Sequence, residues 1–438
     1  MRGISVRTLA KHFLSARGGN FAIATAAVVS VLAMGAGFAL NVTQMTLTRS
    51  NLIQALDSAV TSTARDLTTG KISEEDARPL ILTFLQVNGG TGFAAQERIT
   101  LDSVVVDRSA RTVTARAAIE LDVAFALFGT GRTQRIEVES SALYSDKKIE
   151  VAMMLDVTGS MAGQRIKDLQ SAARNAVDTF LTGQDVKDPR VRVAIIPYAD
   201  AVNVGALAHT VHVETSYTMA EPPRMDDPKA ASASRPDNCG TERKGTHQFR
   251  DTSPMEAMVS RDVRLAFCPQ ATLQPLTADA AKLKSSINAF KASGHTAGAI
   301  GIQWSWYMLS PKWADVLPAA SRPLAYDPRG VAKFAILMTD GEFNTAFASV
   351  PNGQNVRNQP MRSRDNAEKL CAEMKKQGIE IFTIGFMLNQ AGAKTVMKNC
   401  ASPDKGATKH YFETSSGAEL DAAFQSIAAN IERLAIVK

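Results

Sequence analysis

The residues of this sequence best suited to chemistry are an acid and two hydroxyls: Asp156, Thr158 and Ser160, near the end of the stretch IEVAMMLDVTGSMA (149–162). The apolar run before them reads as a buried strand ending at Leu155, which puts this D-x-T-x-S triplet in the turn between a strand and the helix that follows. Such a turn lies at the carboxyl edge of a parallel sheet, where open α/β folds bind their ligands. Three hard oxygen donors there suit a small divalent cation. Mg2+ takes six oxygens at about 2.1 Å and gives up its waters reluctantly, so one acid with several hydroxyls leaves it under-neutralised and open to a carboxylate from another molecule. The alternative is structural, because Asp and Ser are favoured helix N-caps and could simply open the next helix.

Two distant segments fit the cation reading. Thr296 sits in GHTAG just before the helical apolar pattern of 300–309, and Asp340 closes the run FAILMTDGE, a second buried strand stopping in an acid. The set Asp156, Thr158, Ser160, Thr296 and Asp340 resembles the metal-ion-dependent adhesion site of von Willebrand factor type A domains. In that site an Asp, two hydroxyls, a distant Thr and a second Asp surround Mg2+. The family usually has Ser at the middle of the triplet; Thr158 keeps the hydroxyl. The resemblance implies Mg2+ as the bound ion, with Mn2+ as a substitute, and a doubly wound, Rossmann-like fold.

The elements that must hold these loops recur along 148–438. After the triplet come an amphipathic helix over 166–181 and the buried strand VRVAIIPYAD. Further on lie the helix ADAAKLKSSINAFKAS, a helix containing Trp304 and Trp306, the strand at 334–338, a helix over 366–376, the strand IEIFTIGFML and a last helix over 417–434. Strands alternating with helices at this spacing predict an α/β, doubly wound, mostly parallel sheet. The two Trp read as core.

Between the strand at 191 and the helix at 280 the pattern breaks. The segment 203–276, with EPPRMDDPKAASASRPDNCGTERKG, has Pro, Gly, Ser and charges but little apolar periodicity, and reads as an insertion on the ligand-side rim. Cys239 and Cys268 fall in it, whereas Cys371 and Cys400 fall in the last third. None has metal-finger spacing. Outside the cytoplasm four cysteines read as two disulfides. Three connectivities are open; the separation into two clusters favours Cys239 with Cys268 and Cys371 with Cys400.

Toward the N-terminus, no charge lies between Arg17 and Arg49, and 21–42 is almost wholly apolar. As a helix it would span roughly 33 Å, enough for a bilayer core. The tail 1–20 carries Arg2, Arg7, Lys11 and Arg17 and no acid, so the positive-inside rule keeps it in the cytoplasm and sends the rest out. A cleaved signal peptide is the competing reading, but the apolar stretch exceeds the 7 to 15 residues typical of one. Over 43–69, Leu52, Leu56, Val60, Ala64 and Leu67 recur at helical spacing, as in a stalk helix continuing out of the membrane. Its small-residue segment LDSAVTSTARDL would let another helix approach, as in an oligomer, or pack within its own domain. Residues 70–147 predict a short helix and three antiparallel strands, RITLDSVVVD, TVTARAAIELDV and RIEVESSALY, in a small α+β module without recognisable chemistry.

Lys and Arg number 49 against 43 Asp and Glu, an excess of +6 spread along the chain. With no nucleic-acid motif, and few Tyr and Trp to stack bases, no nucleic-acid partner is expected.

Taken in order, the basic tail, one anchor, the LDSAVTSTARDL helix, the strand module leading through YSDKKIEVAMMLDVTGSM, and a domain with IIPYADAVNVG and CAEMKKQGIEIFTIGF resemble TadG-like pilus-assembly proteins. These belong to the tight-adherence (Flp) secretion system of bacteria. The resemblance covers nearly the whole chain apart from the insertion. It implies a single-pass protein of the cytoplasmic membrane with its C-terminal domains in the periplasm. Its function would be non-enzymatic, gripping a carboxylate on a protein partner. A surface adhesin contacting host or matrix would use the same site. An extracytoplasmic metal-dependent hydrolase would need a general base as well, for which His295 beside Thr296 is the only hint.

Overall fold

The computed structural model describes residues 19–69, 71–89, 98–123, 125, 132–145, 147–184, 188–214, 221–227 and 236–437. The basic tail up to residue 18, the turn residues 90–92 and parts of the insertion (215–220 and 228–235) lie outside the described residues. The chain divides into two compact units, Met1–Arg65 with Ser73–Tyr144, and Asp66–Ile72 with Ser145–Lys438.

In the first unit, helix α1 (Gly19–Thr69) joins the expected apolar segment and the stalk stripe without a break. It is long and apolar enough to cross a membrane, its most apolar window having a mean hydropathy of 2.1. Ile23, Val31 and Phe38 are exposed on it, whereas Leu52, Leu56, Val60 and Ala64 of the stalk stripe are buried. The expected short helix is α2 (Ala77–Asn88), which follows an acid-capped turn in which Asp76 accepts from the Ser73 N–H and hydroxyl. Strands β1 (Ile99–Asp107), β2 (Thr112–Asp122) and β3 (Thr133–Leu143) form an antiparallel sheet in that order. In β3, buried Ile136, Val138 and Ser140 alternate with exposed charges, as a half-solvated antiparallel strand requires.

The second unit is built on a six-stranded sheet. Its strands are β4 (Lys148–Asp156), β5 (Val191–Tyr198), β10 (Gln274–Thr277), β11 (Val331–Thr339), β12 (Glu380–Phe386) and β13 (Tyr411–Thr414), in the order β10-β5-β4-β11-β12-β13. All neighbours are parallel except the edge strand β10, which runs antiparallel to β5. The sheet is therefore mixed. The central strands are apolar along their length because both faces are covered. Ile149, Val151, Met153 and Leu155 of β4 point into one core, which they share with helices α3 (Gln164–Leu181), α4 (Ala280–Asn288) and α8 (Gly417–Val437). Ala152 and Met154 point into the other, with α5 (Gly298–Leu309), α6 (Pro360–Lys376) and α7 (Ala391–Cys400).

Helix α5 is buried on every side, including Trp304 and Trp306, which makes it a core helix rather than a surface one. Its inner face lies against the sheet so closely that a Cβ on Gly301 would come within 2.9 Å of both Met154 Cε and Tyr198 Cγ. On another side it meets the insertion, where a Cβ on Gly240 would lie 2.8 Å from the Trp304 ring.

The described part of the insertion corrects the sequence reading of a polar, irregular segment. It contains β6 (Val202–Asn203) paired with β8 (Cys239–Gly240), and β7 (Val211–Val213) paired with β9 (Val259–Arg261). Many of its charges are inside. Lys244 is buried between Glu214 and Asp262, Asp262 also pairs with Arg264 at 2.7 Å, and buried Glu242 accepts the Phe347 and Ala348 N–H groups at 2.7 Å each. Buried ions persist only when paired and hydrogen-bonded. A composition that reads as solvated can therefore encode an interior. Cys239 bonds to Cys268 and Cys371 to Cys400, each across a separation of 29. The second bridge ties α6 to α7. On the chain-entropy model each contributes about 3 to 4 kcal/mol.

Candidate metal centre

Three loops at the carboxyl edge of the sheet carry the five candidate ligands. The first leaves β4 directly. Asp156 is its last residue and has no exposed surface; its Oδ1 accepts the Thr158 N–H at 2.9 Å, and its Oδ2 accepts the Tyr198 hydroxyl at 2.9 Å and the Thr339 hydroxyl at 2.7 Å. The helix-cap alternative fails here. Helix α3 starts at Gln164 after Gly163, and neither Asp156 nor Ser160 caps it. A short 3-10 turn, Gly159–Met161, fills the gap and leaves Ser160 exposed at the edge.

The hydroxyls and the second acid close on one another. Thr158 Oγ1 lies 2.9 Å from Ser160 Oγ, and the Ser160 hydroxyl donates to Asp340 Oδ1 at 2.6 Å. Thr296 is clamped by its backbone: its N–H donates to Asn344 Oδ1 at 3.1 Å, and its carbonyl accepts the N–H groups of Asn344 and Thr345 at 3.0 and 3.2 Å. The bare Cα of Gly341 marks where the loops meet. A Cβ there would stand 3.4 Å from Thr296 Oγ1 and 3.5 Å from Ser160 Oγ. Two backbone bonds stitch the first loop to the Thr296 loop, from the Gly159 N–H to the Gly294 carbonyl at 3.0 Å and from the Ser293 N–H to the Val157 carbonyl at 2.9 Å. The structure thus brings all five residues together.

The charge balance of this edge fits a cation. Burial, and after it the neighbouring Asp340 carboxylate, push the Asp156 carboxyl up to about 6. Two buried acids, flanked by three hydroxyl oxygens, form an all-oxygen donor set of the kind hard divalent ions take. One side chain partly fills that role already. Arg165 from α3 reaches Asp340 Oδ2 at 2.8 Å, with its own side chain 34% exposed.

Sequence reasoning missed several members of the site. Tyr198 and Thr339 are terminal residues of buried strands and carry no pattern of their own, although each is on the same edge as Asp156. Asp200, in the PYAD end of the second strand, is 1% exposed and braces the Thr296 loop. Its Oδ2 accepts the His295 N–H at 2.6 Å, and its Oδ1 lies 3.3 Å from His295 Nδ1. Gly294 makes this approach feasible: its φ is +79°, and a Cβ would fall 2.3 Å from Asp200 Oδ2.

Residues 315–426 match the family model of the von Willebrand factor type A domain. The second unit has this A-domain type of α/β fold. No curated protein matches the chain. Among solved structures, the vWF domain of the type V pili tip protein Mfa5 from Porphyromonas gingivalis is 15% identical, over 67% of this chain and 97% of that one, with a TM-score of 0.39. The pilus adhesin SpaC from Lactobacillus rhamnosus GG is 12% identical, over 77% of this chain and 35% of its own, also with a TM-score of 0.39. This chain therefore spans about a third of that adhesin's length. The proximal thread matrix protein 1 of the mussel byssus, solved with a zinc occupied MIDAS motif, is 14% identical over 66% of this chain and 46% of that one, with a TM-score of 0.32.

Proposed function

We propose that this protein is a membrane-anchored, non-enzymatic assembly or adhesion component of a tight-adherence (Flp) pilus system, TadG-like in organisation. Its A-domain would grip a carboxylate of a protein partner through a bound Mg2+. The observation that carries the reading is the convergence of two buried carboxylates and three hydroxyls at one sheet edge. Asp156, Thr158, Ser160, Thr296 and Asp340 would hold the ion, and the ion would supply an open coordination position for an acidic group. The apolar first half of α1, with the basic residues that precede it in sequence, supports an anchor with the A-domain outside the cytoplasm. Asp200 and His295 give the hydrolytic alternative a geometric basis. The Asp200 carboxylate, however, takes the His295 backbone N–H as well as facing the ring, which makes it a brace for the loop.

The test is Asp156→Ala in the producing cell. The variant should be expressed, membrane-bound and folded, yet fail to support pilus assembly or to retain its partner in a pull-down. EDTA should reproduce the loss in the wild type, and Mg2+ or Mn2+ should reverse it. Assembly at the wild-type level by a folded Asp156→Ala protein would overturn the proposal.

A further inference from the structure

Beside the Thr296 loop lies a cationic side chain that pairs with none of the five candidate ligands. Arg357, in the loop between β11 and α6, has a side chain 35% exposed, and its guanidinium donates no hydrogen bond to any described residue. It is nonetheless held in place. Its Cζ stands 5.4 Å from the ring centroid of Phe267, and its Nε lies 3.9 Å from Asp200 Oδ1. Asp200 is the carboxylate that braces His295, the neighbour of Thr296. Phe267 also lies against this turn, its ring centroid 6.0 Å from that of His295 and its Cβ 3.4 Å from where a Gly294 Cβ would sit. The insertion fixes Phe267 through the adjacent Cys268–Cys239 bond. A guanidinium over an aromatic face, oriented at a distance by a buried acid one of whose oxygens already accepts the His295 N–H, keeps its donors for something else.

We infer that Arg357, braced by Phe267 and Asp200 beside the metal loops, is a second anion-binding position that receives a second carboxylate of the protein whose first carboxylate reaches the cation. The inference rests on the carboxylate-bridging reading given above. A planar guanidinium pairs with a carboxylate through two parallel N–H bonds, which suits one acidic side chain. The exposed Phe267 ring beside it offers an apolar ledge for the peptide between the two acids. The partner chemistry is therefore an acidic segment with two carboxylates a short distance apart, read as a pair.

Anisotropy titrations of the detergent-solubilised full chain test this with fluorescein-labelled Gly/Ser peptides. One peptide carries a single Asp; the others carry a second Asp one to four residues further on, each residue adding about 3.5 Å of reach. In Mg2+, the best-spaced two-Asp peptide should bind about tenfold more tightly than the one-Asp peptide. Arg357→Gln should erase that gain, leaving the one-Asp affinity and its loss in EDTA as they were, and Arg357→Lys should restore part of it. An intact gain in folded Arg357→Gln protein, or no gain at any spacing while the one-Asp peptide binds, would overturn this inference alone. A one-Asp peptide that does not bind in Mg2+ would take the carboxylate-bridging reading down with it. A sulfated polysaccharide that binds through Arg357 in EDTA, with no two-Asp gain, would assign the position to a different class of ligand and overturn the inference.

Discussion

The two ends of strand β4 place a buried carboxylate in opposite surroundings. At the amino end, Glu150 stands in register between Arg192 of β5 and Lys333 of β11, bonds to both, and accepts the Leu324 N–H at 2.9 Å. One acid there meets two cations, all on rigid strands. At the carboxyl end, Asp156 faces a second acid, Asp340, and the only cation bonded to either among the described residues is the partly exposed Arg165. The same strand thus carries a satisfied charge ladder at one edge and an under-neutralised pair at the other. The first end is built for stability, whereas the second buries two acids beside a single, partly exposed cation.

The largest effect expected from breaking this contrast is at the amino end. Glu150→Ala would leave Lys333 buried, and Arg192 half-buried, without their shared partner and should cost about 3 kcal/mol or more in urea unfolding. Asp156→Asn keeps one carbonyl oxygen for the Tyr198 and Thr339 hydroxyls and removes the opposed charge, but gives up the acceptor of the Thr158 N–H. In EDTA near neutral pH the relieved charge outweighs the lost hydrogen bond, so the variant should be more stable than the wild type by about 1 to 2 kcal/mol. Equal losses at the two ends would erase the distinction.

A smaller effect should appear with pH. Because the folded Asp156 carboxyl is raised to about 6 from an ordinary value of 3.8, the folded state binds more protons than the unfolded one between those values. Its contribution to stability is therefore full below pH 3.8 and is lost as pH rises through about 6, opposite in sign to a salt-bridged carboxylate. At the order of 1.4 kcal/mol per unit, metal-free protein should lose about 2 to 3 kcal/mol across that window, and Asp156→Asn should not. A pH titration of urea midpoints in EDTA measures this; identical profiles for the two proteins would contradict it. The smallest effect belongs to Arg165. Arg165→Met removes a partly solvated cation beside Asp340 and should raise Mg2+ affinity by a few-fold, equivalent to about 1 kcal/mol or less. Unchanged or weaker binding would show that Arg165 does not offset the acids.

Much of this architecture was legible in the sequence, and the physical reason is periodicity. The runs ending at Leu155, Tyr198 and Thr339 are apolar without alternation, as only strands covered on both faces can be, so Asp156 and Asp340 could be placed at one edge before any contact was known. Thr296 was legible because a helix pattern follows it at once. The insertion was not, because buried Lys244, Glu242 and Asp262 have the composition of a solvated loop and reveal their role only through partners distant in sequence. Asp200, Arg165 and Arg357 were missed for a related reason. Each is a lone charged residue in a turn, a helix start or a loop, and its meaning lies in what faces it across the edge.

Calorimetric titration of Mg2+ into the metal-free protein near neutral pH decides whether the carboxyl edge of β4 is a cation site. The wild type should show one saturable site and a matching rise in thermal stability, of about 2.7 kcal/mol at a hundredfold excess over Kd. Asp156→Asn, equally folded, should show neither. A wild-type protein that takes up no divalent ion, or an Asp156→Asn protein that takes it up as tightly, would contradict the claim.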